Sequence, residues 1–490
     1  MVKENAVVAV VLNYLPTVVN YALAVAYIVV LTRYIPLTQY GYYNALFAII
    51  NSIGALIPIP GISGAIAREG AIEYARGGDA KPYFAAMVFM SLVMAVIYGL
   101  IIALATPIYL SNGIPSWLLG TAYIYIGAVF AQSVAGALGL YLWLLGRVAS
   151  QGMGSTLNML VMRVFQVLLI VVMRNVYALA LSVLLGSLAQ LLYYLSIVRG
   201  FADPRAGIDV VRGRARYLLE FGFQSWILGY MGTLSFNLLT YLVYIYLGPG
   251  YTGIYGLAAV MANAVTALGP AVSTVMNSRI SQGLGSGIDV GRTFRDYAIP
   301  SFITASLLAQ LIVLALPTLP IIGIINGEYV RAIPYASVLL GYTPLAVIVS
   351  IYTSYYWVIG KGWYALIANV AGLGLGILAY VALHPLGIYM AITSNYLIYA
   401  FALLIYWLNE RWSVRSMSVL AIGLSLALTI ISSCAQPIQD PPITWPLTQL
   451  ITIAALLTIL YVTKPLPKSL VNQVPGFTKR LITPFTKVDG

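Results

Sequence analysis

Residues 83–109 read YFAAMVFMSLVMAVIYGLIIALATPIY and contain no charged side chain. An α-helix rises about 1.5 Å per residue, so about 20 apolar residues in this conformation cross the roughly 30 Å hydrocarbon core of a bilayer. Backbone amides inside lipid must satisfy one another, which a helix does within a single segment. The stretch therefore predicts a transmembrane helix, and with it an all-α membrane protein.

The same pattern recurs on both sides of this stretch. The chain has 490 residues, of which 61% are hydrophobic and 8% are charged, and the connectors leave no room for a sizeable soluble domain. We expect 14 transmembrane helices, an even number that puts both termini on one side of the membrane. The predicted spans are residues 6–31, 40–65, 83–109, 118–145, 151–173, 176–198, 219–247, 251–277, 297–319, 332–359, 362–383, 386–407, 416–434 and 443–463.

Lys and Arg are distributed unequally over the loops between these spans. With a cytoplasmic N-terminus, 21 of the 25 basic residues lie on inner segments, 3 lie on outer loops, and Arg163 lies within a span. Cytoplasmic loops carry an excess of basic residues, so we expect a multi-pass protein of the cell membrane with both termini in the cytoplasm. The net charge of +12 then reflects topology and contact with lipid headgroups, and nucleic-acid binding is not expected.

The two halves of the chain repeat one another. The segment GYYNALFAIINSIGALIPIP (41–60) aligns with GIYGLAAVMANAVTALGPAV (253–272), and nearly the same shift along the chain aligns YLWLLGR (141–147) with YYWVIGK (355–361). Chance matches in an alphabet rich in Ala, Leu, Gly and Tyr are the alternative. Because this shift covers six spans, the repeat predicts two parallel six-helix lobes followed by two C-terminal helices.

This repeat sets the expected domain boundaries. They are an N-lobe at 1–198, a basic cytoplasmic linker at 199–218, a C-lobe at 219–410, the last two spans within 411–463, and a basic cytoplasmic tail at 464–490. The linker is the most charged part of the chain. It is either a plain surface connector or an amphipathic segment that Arg212, Arg214 and Arg216 hold against anionic lipid, acting as a hinge.

The residue types that enzymes and metal sites need are scarce. The chain has one His and one Cys, and no Asp or Glu lies clearly within a predicted span. Metal sites combine several His, Cys, Asp or Glu ligands, and the phosphate-binding pattern G-x-x-x-x-G-K-[ST] does not occur. We therefore expect a non-enzyme without metal or cofactor. The GLGLG run at 372–376 lies within a span, where small residues allow close helix packing.

Three arginines are the charged candidates for a functional site. Arg163 lies near the middle of span five, where an ionisable side chain is costly and suggests function; it either lines a water-filled cavity or bonds to a neighbouring helix. Arg68 and Arg279 end spans two and eight at nearly equivalent positions of the two lobes. They either form a cationic cavity mouth or serve as ordinary positive-inside anchors.

Buried amides are the neutral candidates. Asn20 and Asn51 lie in the first two helices of the N-lobe, and Asn237 and Asn263 lie in the first two helices of the C-lobe. Each amide could bond across helices for about 0.6–2 kcal/mol. Together with the arginines, we expect them to contact the substrate. The 38 Tyr residues suit either interfacial belts or the faces of sugar rings.

Three segments carry a family resemblance. They are LTRYIPLTQYGYYNALFAIINSIGALIPIPGISGAIAREGA (31–71), GPGYTGIYGLAAVMANAVTALGPAVSTVMNSRIS (248–281) and INGEYVRAIPYASVLLGYTPLAVIVSIYTSYYWVIGKGWYALIANVAGLG (325–374). They resemble the polysaccharide-export branch of the MOP flippase superfamily, the Wzx-type flippases of lipid-linked oligosaccharides. The resemblance covers most of residues 1–410 and is more specific for the superfamily than for the branch.

The resemblance implies a mechanism. Two lobes around a cationic cavity would move an isoprenoid-(pyro)phosphate-linked glycan from the inner to the outer leaflet by alternating access. Its partners would be that glycan and the membrane lipids, and the protein would be a monomer. By motif the implied site includes Arg68 and Arg279, whereas Arg163 is proposed from its position in the membrane.

Two other functions compete with a flippase. A multidrug and toxin extruder of the same superfamily would share the twelve-helix core, but such exporters usually need a membrane-embedded carboxylate and a cationic drug. A membrane glycosyltransferase or glycan polymerase would need an acidic or long outer loop. The sequence has neither the carboxylate nor the loop, so a flippase is favoured.

Overall fold

A computed structural model describes most of the chain. Within the described residues the structure is helical, with 18 α-helices, four short 3₁₀ helices and no strand, so the prediction of an all-α polytopic fold is confirmed. Four isolated positions (272, 273, 276 and 280) are also described. The continuous described ranges are 6–55, 59–75, 78–111, 113–198, 203–270, 290–409, 444–463 and 483–485.

Two compact units divide the chain. Unit 1 contains Met1–Gly253 and Ile324–Gly327. Its helices are α1 (Ala6–Tyr34), α2 (Leu37–Ala55), α3 (Ile59–Ala75), α4 (Lys81–Leu104), α5 (Thr106–Ser111), α6 (Leu119–Leu144), α7 (Val148–Met173), α8 (Tyr177–Ile197), α9 (Pro204–Gly213), α10 (Ala215–Leu247) and the first turn of α11 (Pro249–Thr266).

The helices of unit 1 pack in two groups. Helix α1 lies along α7, α7 along α8, and α6 contacts α4 and α8. Helix α10 packs on α2 and α3, and a Cβ on Gly61 would lie 2.0 Å from the carbonyl oxygen of Gly222, so this crossing requires glycine. The sequence repeat assigns α10 to the C-lobe, whereas its contacts group it with unit 1; the lobe boundaries stay a prediction.

Unit 2 contains Ile254–Gly323 and Glu328–Gly490. Besides the rest of α11, its helices are α12 (Val290–Ala315), α13 (Thr318–Ile321), α14 (Ala332–Leu340), α15 (Thr343–Val358), α16 (Gly362–Leu383), α17 (Ile388–Asn409) and α18 (Thr444–Thr463). Here α16 lies along α17, and α12 contacts α15 and α18. A Cβ on Gly372 would lie 2.3 Å from the carbonyl oxygen of Ile398, so the GLGLG run does permit close packing of α16 on α17.

Many of these helices suit a bilayer. Among the described residues, eight are long and apolar enough to cross a membrane, or nine if the pair Gly327–Leu340 and Thr343–Val358, bent by 47°, forms one span. Shorter apolar helices add to these, and the predicted span 416–434 lies outside the described residues. The chain is thus a multi-pass membrane protein.

One turn occurs twice with the same geometry. Gly146, between α6 and α7, has φ +75°, and Gly360, between α15 and α16, has φ +78°. In each turn the glycine N–H donates to the carbonyl three residues earlier, at 2.9 and 3.1 Å. The next residue, Arg147 or Lys361, donates to the carbonyl five residues earlier at 2.8 Å in both cases. This pattern is a helix C-cap that favours glycine, and its two copies lie at positions that the sequence repeat aligns.

The linker forms helix α9, which packs on α4 within unit 1. Asp203 caps the helix, since its Oδ1 accepts a hydrogen bond from the backbone N–H of Arg205 at 2.9 Å. A Cβ on Gly207 would lie 2.6 Å from the backbone nitrogen of Ala86 in α4. The apolar side of the linker therefore contacts protein.

Two ion pairs follow α9. Arg214 forms a salt bridge with Glu69 of α3, and Arg216 pairs with Glu220 at 3.0 Å. Exposed pairs such as the second contribute little to stability. Whether the linker also binds anionic lipid or acts as a hinge stays a prediction.

Candidate functional site

Helix α7 carries the charged candidate within the membrane. It follows the Gly146 turn and runs without a break over Val148–Met173, and its segment Ala149–Met173 is apolar enough to cross a bilayer. The neighbouring side chains of Val164, Phe165 and Leu168 are exposed, as expected for a lipid-facing surface. The side chain of Arg163 is partly buried, so it lies on the protein side of α7.

The guanidinium of Arg163 has three neutral neighbours. Its Nε donates a hydrogen bond to Oδ1 of Asn20 at 2.8 Å, and its Nη1 donates to Oε1 of Gln166, also at 2.8 Å. Its Cζ lies 4.9 Å from the ring centroid of Tyr27, within the range of a cation–π contact. No salt bridge to Arg163 is present among the described residues. The guanidinium is therefore hydrogen-bonded, but no carboxylate among the described residues neutralises its charge.

Helical periodicity explains how these residues meet. Gln166 is three residues after Arg163, so the two side chains share one face of α7. Asn20 and Tyr27 are seven residues apart on α1, and therefore lie on one face of that helix. Because α1 lies along α7, this face meets the guanidinium.

A row of polar and aromatic side chains continues onto α2. Tyr27 and Tyr40 share a side-chain hydrogen bond, and Tyr40 also bonds to the side chain of Asn44. By distance and angle, the buried Nδ2 of Asn44 makes no full hydrogen bond with a described residue, so its interaction with Tyr40 is weak. A buried donor without a full hydrogen bond costs free energy, which an additional acceptor at this amide would recover.

Asn51 lies further along the same face of α2. Its Oδ1 accepts a hydrogen bond from the hydroxyl of Tyr125 on α6 at 3.1 Å. The ring of Tyr125 lies 4.7 Å from that of Phe47, which lies 4.2 Å from that of Tyr43. The structure thus brings Arg163 and Asn20 into direct contact and places Asn51 on the helix face that continues from them.

The other predicted site residues are only partly described. Arg68 is on α3, and its side chain and all of Arg279 lie outside the described residues. Asn237 on α10 is buried, with its Nδ2 lacking a partner among the described residues. Asn263 on α11 is exposed and lies 3.5 Å from the hydroxyl of Thr266. Substrate contact by these residues stays a prediction.

Unit 2 has a polar cluster of its own. The Nδ2 of Asn369 on α16 donates to the carbonyl of Ala365 at 2.8 Å and lies 3.0 Å from Oγ1 of Thr353 and 2.9 Å from the hydroxyl of Tyr406. The Thr353 and Tyr406 hydroxyls also bond to each other at 2.9 Å. The ring of Tyr406 stacks on that of Tyr352 with centroids 5.3 Å apart. This cluster contains no formally charged group.

Both clusters contain residues that are not among the predicted site residues. The predicted site amides come from the first two helices of each half, so they do not include Asn369, although it lies within an apolar span. The sequence leaves the use of Tyr open between belt and cavity and does not distinguish Tyr27 or Tyr40 from the other tyrosines. The signal that was available is the spacing of three residues between Arg163 and Gln166.

Solved structures with the same fold include transporters of two kinds. A lipid II flippase, MurJ, in an inward closed conformation has a TM-score of 0.64 and 14% identity, over 92% of this chain and 98% of that chain. A multidrug resistance MATE family transporter of the MOP superfamily, in an inward-facing conformation, has a TM-score of 0.63 and 14% identity, over 86% and 99%. The eukaryotic MATE transporter AtDTX14 has a TM-score of 0.62 and 13% identity, over 92% and 97%.

These likenesses establish the fold of MOP-superfamily transporters, as the resemblance predicted. No curated protein matches the sequence. The family model described as "Polysaccharide biosynthesis protein" matches residues 8–282, which is more than half of the 490 residues. The chain is therefore a member of the polysaccharide biosynthesis protein family, with the fold of the MOP-superfamily transporters.

Proposed function

We propose that this protein is a flippase for an isoprenoid-(pyro)phosphate-linked oligosaccharide. The cargo would enter from the inner leaflet of the cell membrane and leave in the outer leaflet by alternating access of two lobes. Its glycan would cross through a cationic, water-filled cavity while its lipid tail stays in the bilayer. The protein would act as a monomer with both termini in the cytoplasm.

The observation that supports this cargo is the uncancelled charge of Arg163. Its two hydrogen-bond acceptors are amide oxygens, so a full positive charge is held within a membrane-spanning helix. Placing Arg there costs at least about 2.5–3.5 kcal/mol on insertion scales. A fixed cation attracts an anionic phosphate through paired donors in one plane, and it repels a cation.

An extruder of cationic drugs is the second candidate, because a multidrug transporter shares the fold about as well as the flippase does. Backbone likeness cannot separate the two functions. The charge argument favours the flippase, since an extruder of cations would place a carboxylate, rather than an arginine with neutral partners, in its interior.

The remaining candidates have roles in this proposal. Arg68 and Arg279 would recruit the (pyro)phosphate at the inner mouth of the cavity, one from each lobe. Asn51, Asn237 and Asn263 would bond to sugar hydroxyls.

A reconstituted transport assay tests the proposal. Proteoliposomes containing the purified full-length chain would be loaded with a fluorescent isoprenoid-diphosphate disaccharide, and its transfer between leaflets followed by quenching from outside. We expect transfer by the wild type and strongly reduced transfer by R68A/R279A, with more activity kept by R68K/R279K because a point charge still attracts phosphate. Absence of transfer by the folded wild type, together with uptake of a cationic dye, would support the extruder instead.

A further inference from the structure

The hydrogen-bond acceptors around Arg163 are neutral on both sides. Gln166 comes from the same helix and Asn20 from α1, and each presents an amide oxygen at 2.8 Å. Glu has nearly the same shape as Gln, and Asp nearly the same shape as Asn. Their carboxylates would form stronger, charge-assisted hydrogen bonds with a guanidinium. Amides at both positions therefore hold the side chain without neutralising it.

Some N–H donors of the Arg163 guanidinium are available for a ligand. Arg has five N–H donors in one plane, and two of the five bond to Asn20 and Gln166. The three others, on the terminal nitrogens, have no hydrogen-bond acceptor among the described residues. The Cζ of Arg163 lies over the Tyr27 ring, 4.9 Å from the ring centroid, so the ring limits the directions in which the guanidinium can move.

Burial keeps this arrangement in place. Gln166 is 7% exposed and Tyr27 is 6% exposed, so neither side chain is free to turn to solvent. Asn20 is fixed by the packing of α1 along α7. A guanidinium that is hydrogen-bonded to two side chains and held over a ring has little rotamer freedom left to lose when it binds a ligand.

We infer that Gln166 is a positioning residue for Arg163, and that with Asn20 and Tyr27 it keeps the guanidinium charged and aims its remaining donors at a phosphate oxygen of the cargo. The inference rests on the proposed function and deepens it, because it names the residues that set the preference for an anion. A carboxylate in place of either amide would compete with the phosphate for the same cation.

The test uses the full-length protein in nanodiscs and two simple probes that share a tail, geranylgeranyl phosphate and geranylgeraniol. The measured quantity is the ratio of the two dissociation constants, obtained by thermophoresis. We expect the wild-type protein to bind the phosphate more tightly than the alcohol. In Q166E this preference should fall at least tenfold, while the melting temperature stays the same or rises. The N20D variant should behave in the same way, since it brings a carboxylate to the other side of the guanidinium.

Two further variants separate charge from packing. Q166L removes the acceptor without adding a charge, so affinity for the phosphate should fall by about threefold while the preference over the alcohol remains. Q190E is the matched control, because Gln190 on α8 accepts a hydrogen bond from Asn158 of α7 at 2.7 Å and its amide does not contact Arg163. We expect Q190E to keep the wild-type preference.

The outcomes distinguish this inference from the proposed function. If the wild type does not prefer the phosphate, the anionic cargo itself is wrong. If the wild type prefers it and folded Q166E and N20D do so equally, the positioning role is wrong while the flippase proposal stands. Equal losses in Q166E and Q190E would mean that any negative charge near α7 has this effect, which would also overturn the positioning role.

Discussion

The α7–α8 pair of unit 1 and the α16–α17 pair of unit 2 start in the same way but carry different polar side chains. Both pairs begin after one copy of the repeated glycine turn, Gly146 in unit 1 and Gly360 in unit 2. When these two glycines are aligned, Arg163 corresponds to Ile377, and Asn369 corresponds to Ser155. One pair thus holds a charge among neutral acceptors, and the other holds a neutral cluster at a different depth along the helix.

This difference shows that the backbone and the polar groups of the two pairs are determined separately. Helix ends and turns depend on local rules that both halves satisfy, whereas the polar groups depend on single side chains. A flippase and a multidrug transporter share this fold with TM-scores of 0.64 and 0.63, so the backbone leaves the cargo open. The interior side chains are what a test of function must change.

The largest effect is expected from giving unit 2 the charge that it lacks. Ile377→Arg places a guanidinium on α16 at the position corresponding to Arg163, without the two amide acceptors that Arg163 has. We expect the free energy of unfolding to fall by about 3 kcal/mol, the cost of an unsupported Arg at mid-bilayer. Melting temperature and yield of folded protein in one detergent would measure it.

Ile377→Gln, polar but uncharged, is the control for this change and should be tolerated better. Wild-type stability of Ile377→Arg would mean that the interior of unit 2 accepts a charge as readily as that of unit 1.

Removing the charge from unit 1 should have the next largest effect. Arg163→Met relieves a desolvation cost of about 2.5–3.5 kcal/mol but leaves two amide oxygens without a donor, at about 1–3 kcal/mol each. These terms nearly offset each other, so we expect a stability change below about 2 kcal/mol and, in reconstituted vesicles, transport at least tenfold slower per folded molecule. A clear loss of stability with unchanged transport per folded molecule would make Arg163 purely structural.

The two copies of the repeated glycine turn should lose the same stability when their glycine is replaced. Gly146→Ala and Gly360→Ala each force a side chain into a left-handed conformation, which costs about 1 kcal/mol, and no atom lies within 4 Å of either added Cβ. We therefore expect the same decrease in the free energy of unfolding for both variants, measured by denaturant titration in one detergent.

Gly136→Ala is the matched control for the turns, since it lies within α6 and also has no neighbouring atom within 4 Å. It should be neutral or slightly stabilising. Unequal effects of Gly146→Ala and Gly360→Ala would mean that the two turns differ in ways that their backbone angles do not reveal.

The smallest effect is expected from the neutral cluster of unit 2. Tyr406→Phe removes a hydroxyl that bonds to Thr353 and Asn369, but those two side chains remain bonded to each other at 3.0 Å. Hydrogen bonds between membrane helices contribute about 0.6 kcal/mol on average, so we expect a loss of that size with transport unchanged. Slower transport at unchanged stability would assign this cluster a role in the cycle.

The positions of the helices were easier to predict from the sequence than their bends and breaks. The predicted span 219–247 corresponds to α10 (Ala215–Leu247), and 176–198 corresponds to α8 (Tyr177–Ile197). The predicted span 332–359 is bent by 47°, with Pro344 in the first turn of α15. Pro300, in contrast, remains inside α12. Hydropathy identifies apolar residues, but whether a proline bends or breaks a helix depends on the neighbours that bond to the freed backbone groups.

The site was predictable only where it depends on local spacing. Arg163 was identified because a charge in an apolar span is conspicuous, and Gln166 lies one helical turn away. The bond to Asn20 joins residues that are 143 positions apart in the chain, and no periodicity indicates which face of α1 meets α7. Tyr27 is one of 38 tyrosines, so composition could not select it.

The uncancelled guanidinium of Arg163 also has an electrical consequence. A charge inside the bilayer lies within the transmembrane field, and moving one elementary charge through the whole field changes its energy by about 2.3 kcal/mol per 100 mV. If α7 shifts along the membrane normal during transport, each tenth of the field that Arg163 crosses adds about 0.2 kcal/mol of voltage dependence at 100 mV. A bound phosphate monoanion would offset that charge, so the empty protein would respond to the membrane potential with one more positive charge than the loaded protein.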